Sequence, residues 1–158
     1  MKKILLLSSL LLIVVGGVSL TQNYLREGKI LPFKNYPTVI IGNHKFKASI
    51  ADSQKEREIG LSETKSLSQN QGMIFLFEKP DYYSFWMKNM KFPIDIIYIN
   101  NDQIVTIQNN AEPIKDQENP IKYAPTQPAD KVLEIQAGLA KAYKFKKGDK
   151  VKYENLSN

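Results

Sequence analysis

The sequence predicts a mainly β fold: a small single-domain barrel or sandwich of about seven short strands with one or two short helices, with α+β as the alternative. Three observations predict it. An alternating apolar arm follows the turn pair Gly42 and Asn43. A continuous apolar run from residue 72 to 77 is bounded on both sides by turn chemistry. Several further short apolar runs are separated by Asn, Asp, Gly or Pro.

Taken in order, residues 38–41 and 44–50 form a hairpin, with Phe46, Ala48 and Ile50 on one face of the second arm. Ser53 and Glu56 match the capping box at a helix start, and Gly60 ends that short helix. Residues 62–71 read as loop, residues 72–77 as a strand buried on both faces, and Pro80 with Asp81 as a turn. Strands follow at 83–88, 92–99 and 104–107. Residues 109–130 hold four prolines and read as a long loop. A strand at 132–135, a short helix at 137–143 and a last strand at 150–153 complete the chain.

The N-terminus carries a targeting signature. Lys2 and Lys3 precede an uncharged apolar run over residues 4–20. It implies either a cleaved signal peptide or a retained single-pass anchor over residues 1–21. A linker over 22–37 and a β-rich domain over 38–158 follow. The lysines favour a cytoplasmic N-terminus with the domain outside, so the chain is expected to be secreted or held in the cell membrane by this segment.

With no cysteine there is no disulfide framework, thiol nucleophile or lipidated anchor, and a single histidine leaves no ordinary zinc site. No metal and no cofactor is expected. The net charge of +6 suits an anionic envelope surface and is too diffuse to argue for nucleic acid. Asp102, Glu112, Asp116 and Glu118 lack the spacing of a calcium loop and read as solvated charges.

The densest chemistry lies between residues 84 and 98, which hold the sole tryptophan, Trp86, with Lys88, Asn89 and Asp95 among large apolar side chains. An aspartate inside an apolar strand needs partners, because burying an unpaired charge is costly. In this region the sequence resembles a known family. The blocks are Glu56, Arg57, Glu58, Ile59, Gly60, Leu61; Gly72, Met73, Ile74, Phe75, Leu76, Phe77; Phe85, Trp86, Met87, Lys88, Asn89; and Pro93, Ile94, Asp95, Ile96. Val132, Leu133, Glu134, Ile135 with Ala137 and Gly138, then Lys147, Gly148, Asp149, Lys150, Val151, complete the series. Together they look like the domain-of-unknown-function 192 family of bacteria and archaea. The resemblance implies a small mainly β domain behind a leader and assigns no activity. The sequence departs from the family pattern at Ser62, usually Met, and at Met90, usually Thr.

Arg57, Trp86, Lys88, Asn89, Asp95 and Glu134 are the candidate ligand-binding residues. No catalytic residue is assigned. Asp95 is equally readable as a structural carboxylate fed by backbone N–H groups and paired with Lys88 or Arg57. Trp86 reads more readily as a core anchor than as an exposed stacking surface, Tyr82 and Tyr83 as a rim, and His44 as a surface strand residue. The leading expectation is a binding or accessory module at the cell envelope, with an envelope polymer or surface protein as partner. The alternative is a hydrolase or transferase of an envelope polymer, with Asp95 and Glu134 or Glu58 as acid/base groups. A structural partner of a membrane complex ranks below both.

Overall fold

The computed structural model describes residues 36–114 and 120–156. The expected leader, the expected linker up to residue 35, Asp116 and Glu118 lie outside the described residues. Nine strands and two short helices are present among those described: β1 (Thr38–Ile41), β2 (His44–Ala51), α1 (Gln54–Ile59), β3 (Gln71–Asp81), β4 (Phe85–Trp86), β5 (Ile94–Asn100), β6 (Gln103–Ala111), β7 (Lys122–Tyr123), β8 (Ala129–Gln136), α2 (Leu139–Ala142) and β9 (Val151–Glu154). None of these helices is long and apolar enough to cross a membrane.

Seven strands form one sheet in the order β6-β5-β8-β3-β2-β1-β9, while β4 and β7 pair separately. Every neighbour in the large sheet is antiparallel except β2 and β3. A parallel pair needs a crossover, and residues 52–70, carrying α1, supply it. The sheet curls into a half-barrel. Its two edge strands approach at one end, where Gln103 bridges Lys150 and Val151 N–H donates to Asp102 O at 2.8 Å. The fold is therefore mainly β, a curled sheet with a small second sheet and two short helices.

Two apolar layers lie on opposite faces of this sheet, because side chains alternate along each strand. The first, including Phe46, Ile74, Ile97, Leu133 and Val151, draws on all seven strands and fills the inside of the curl. The second, including Phe75, Met87, Ile96, Tyr98 and Val132, lies under the crossover residues Leu61 and Leu67 and the β4–β7 ribbon. Strand β5 is buried along nearly its whole length because both layers cover it.

Three expected elements differ. The strand expected over 83–88 shrinks to two residues, because Met87 turns into the core and Asn89 adopts a left-handed φ of 59°. Strand β3 runs on through the expected Pro80 turn. The β3–β8 register shifts between Leu76 and Asp81, so the proline nitrogen falls where the ladder is already interrupted. The long loop is narrower than expected, since β6 reaches Ala111 and β7 lies inside it.

Candidate functional site

A cleft of about 590 Å³ opens on the second face of the sheet. One wall is the end of α1 with Gly60 and Ser62, the opposite wall is β4 with the turn at Asn89 and Met90, and β3 and β8 form the floor. Five of the six candidate residues, Arg57, Trp86, Lys88, Asn89 and Glu134, line it. They come from three separate stretches of chain, so their meeting is a property of the fold.

The capping box holds α1 in place. The Ser53 hydroxyl accepts from Glu56 N–H at 3.2 Å, and the Glu56 carboxylate accepts from Ser53 N–H at 3.1 Å. That anchors Arg57 one residue on. Its guanidinium donates to the carbonyl of Leu76 at 3.0 Å and to that of Asp52, and lies 5.2 Å from the centre of the Phe77 ring. Arg57 thus ties the crossover to β3 while turning its charge toward the cleft.

Aromatic rings build the walls. Phe77 stacks on Tyr83 with centroids 3.6 Å apart, and Phe85 meets Phe75 edge-on at 4.9 Å. Trp86 is 49% exposed, which corrects the expectation of a core anchor. Phe85 and Met87 point inward, so Trp86 between them must point outward, and the two-residue β4 has only β7 as partner. The Lys88 ammonium lies 5.1 Å from the centre of the Trp86 ring, within cation–π range.

Glu134 sits at the floor, opposite Met73 on β3 and Ile96 on β5, and is 5% exposed. Its Oε2 has no hydrogen-bond partner among the described residues. Burial pushes its carboxyl up to about 8, so it carries a proton at neutral pH. Burial, and secondarily the Glu134 charge, also raises the Tyr98 hydroxyl, which donates to the carbonyl of Tyr123 at 2.7 Å. Glu58 lines the cleft as well, exposed, and accepts from the Gln54 amide at 2.9 Å.

Asp95 is elsewhere. Glu134 is paired with Ile96, so Asp95, one residue earlier on β5, projects from the opposite face. It is completely buried, and its carboxylate accepts from the backbone N–H of Asn110 at 2.8 Å, Gly138 at 3.1 Å and Ala140 at 2.8 Å. Among the described residues neither Lys88 nor Arg57 forms an ion pair with it. Asp95 ties β6 and the start of α2 to β5, and it cannot share acid/base work with Glu134 across the sheet.

The wall residues Phe77 and Phe85 were not among the candidates, whereas Tyr83, expected at a rim, does line the cleft. The signal was strand parity: Phe75 and Phe77 share a face with Met73, which pairs with Glu134. Among the described residues no three His, Cys, Asp or Glu side chains gather into a group able to hold a metal ion.

Two solved structures are similar to this chain. A crystal structure of a protein of unknown function from Novosphingobium aromaticivorans is 33% identical, with a TM-score of 0.68, over 78% of this chain and 90% of that one. A candidate transcription regulator from Sinorhizobium meliloti is 29% identical, with a TM-score of 0.65, over 76% of this chain and 93% of that one. No curated protein matches the chain. The family model described as "Uncharacterized ACR" matches residues 38–153, which span every strand from β1 to near the end of β9. The chain belongs to the domain-of-unknown-function 192 family.

Proposed function

We propose that this chain is a binding module of the cell envelope, exported or tethered by its leader, whose cleft takes a saccharide of an envelope polymer. The observation that carries the binding reading is the convergence of Trp86, Lys88, Asn89, Arg57 and Glu134 on one solvent-open cleft. A half-exposed indole offers a flat apolar face to a ring, and the polar groups around it supply orientation. The two lysines followed by an uncharged apolar run support the location. The described helices are six and four residues long, so the regulator description of the Sinorhizobium protein has no groove-reading helix to match here.

Trp86 is the only tryptophan, so intrinsic fluorescence reports on the cleft directly. Envelope polysaccharide fragments are expected to shift its emission saturably, and Trp86→Ala is expected to abolish the binding heat in calorimetry. Fragments that leave both emission and heat unchanged would sink the reading. A reporter fused after the domain checks the location, since it must appear outside the cytoplasm.

A second reading has one observation in its favour. A protonated, buried Glu134 in the same cleft as an exposed Glu58 is the pairing of environments that acid/base hydrolysis uses. Turnover of a polymer fragment that Glu134→Gln removes, with binding retained, would decide for it.

A further inference from the structure

Glu134 is a buried cleft residue with an unpaired carboxyl oxygen among the described residues. It is 95% buried by its 5% exposure, lines the floor, and has Oε2 without a partner among the described residues. Most buried polar atoms are paired, so an unpaired one on a side chain that lines a cleft marks where a ligand group belongs. Its neighbours constrain that group. Strand β3 presents the untitratable Met73, Phe75 and Phe77. Tyr98 from β5 adjoins it, and the charged or titratable groups that share the cleft are Arg57 and Glu58 from α1 and Tyr83 and Lys88 flanking β4.

Two of these are cations and line the same cleft, which disfavours entry of an ammonium. A carboxylic acid carries a strong O–H donor, and its natural complement is a carbonyl oxygen. The rings of Phe75, Phe77 and Phe85 line the same cleft and suit a small methyl group. An acetamido substituent combines that carbonyl with that methyl.

We propose, resting on the saccharide reading of the cleft, that Glu134 is its specificity residue. It donates its acid hydrogen to the acetamido carbonyl of an N-acetylated sugar whose ring lies on Trp86. A plain hydroxyl sugar would reach Trp86 and leave the floor unfilled. Because burial pushes the Glu134 carboxyl up to about 8, the donor is present at pH 7 and lost by pH 9.

The test uses the full-length chain in a detergent without sugar headgroups, titrated by Trp86 fluorescence with trimers of N-acetylglucosamine, glucose and glucosamine. The expected result is N-acetylglucosamine affinity at least ~10-fold above glucose, falling about 10-fold between pH 7 and pH 9, as loss of a donor titrating near 8 requires. Glu134→Gln keeps an N–H donor and is expected to bind the acetylated trimer with a flat pH profile. Glu134→Leu is expected to lose the preference; should it fail to fold, the wild-type and Gln pH profiles still decide. Equal affinity for the acetylated and glucose trimers overturns the Glu134 assignment and leaves the saccharide reading standing. Preference for the glucosamine trimer, tightening as pH rises, overturns it in favour of an ammonium acceptor. Binding of none of the trimers overturns it together with the saccharide reading on which it rests.

Discussion

Replacing Asp95 by Asn tests the division of labour between the two faces of the sheet. The change keeps the size of the side chain and leaves one oxygen where three backbone donors converge. In the better of the two amide orientations, Asn110 and Gly138 keep their acceptor, and the new NH₂ meets the N–H of Ala140. One charge-assisted bond is lost, of order 2 kcal/mol, and two buried donors face each other unsatisfied, at roughly 1–2 kcal/mol apiece. The total is about 4–6 kcal/mol. For a domain of about this size each kcal/mol shifts Tm by roughly 4 °C, so a fall of roughly 16–24 °C is expected by circular dichroism. Ligand affinity read from Trp86 should stay within about twofold at temperatures where the variant is folded, because Asp95 projects from the other face. A Tm within about 3 °C of wild type, or a lost ligand response at unchanged Tm, would refute this placement of Asp95.

Five other outcomes follow from single residues. Ser53→Ala removes the cap of α1 and should cost about 1 kcal/mol in denaturant melts. The Ser53 hydrogen bonds hold the Glu56 carboxyl down at about 2, so the wild-type capping contribution is complete above about 4.5 and fades as pH falls toward 2, giving an acid limb that Glu56→Gln should flatten. Glu134 has the opposite sign: between its ordinary value of 4.5 and about 8 the unfolded chain ionises while the folded one keeps its proton, so stability declines with rising pH. Glu134→Gln should remove that decline and exceed wild type in Tm at pH 8, and parallel Tm–pH curves would count against it. Gly72→Ala would place a Cβ 2.7 Å from the Glu134 carbonyl oxygen, so a loss of roughly 1–3 kcal/mol is expected, and an unchanged denaturation midpoint would contradict that close approach. Met90→Thr should alter the affinity of any ligand followed by Trp86 while lowering Tm by no more than roughly 5 °C, and an unchanged Kd would place Met90 outside the ligand contact.

Much of the fold was legible because local rules and tertiary structure agree. The capping box at Ser53 and Glu56, the stop at Gly60 and the turn at Gly42 all lie where the residues imply. What was hidden depends on strand parity and on which strands become neighbours. Asp95 and Glu134 are both single acids within apolar strands, and nothing local separates them. Only the pairing of Ile96 with Glu134 sets them on opposite faces, which turns one into a tie between elements and the other into a cleft floor. Trp86 was hidden for a related reason. A long strand in the main sheet would have had both faces covered, but β4 is a two-residue ribbon strand at the margin of the second layer, so one face stays open. Pro80 suggests a turn, yet the register shift after Leu76 makes its missing donor harmless.

The division between frame and rim bears on what the cleft recognises. The blocks that carry the family resemblance supply the floor and much of the wall: Phe75 and Phe77 on β3, Phe85 and Trp86 on β4, and Glu134 on β8. The two departures from the family pattern, Ser62 and Met90, stand on opposite walls of the same cleft. Neither belongs to a strand. Ser62 follows α1, with its hydroxyl donating to the carbonyl of Ile59 at 2.6 Å, and Met90 closes the turn begun at Met87. Residues on turns can change without disturbing the ladders beneath them, whereas Glu134 cannot move without moving β8 between β3 and β5. An acid held at the floor by the sheet, with turn residues at the mouth, lets one ligand feature be read at the floor and the substituents around it at the mouth. On that logic Glu134 would set the class of ligand, and Ser62 with Met90 would set which member of the class this chain prefers.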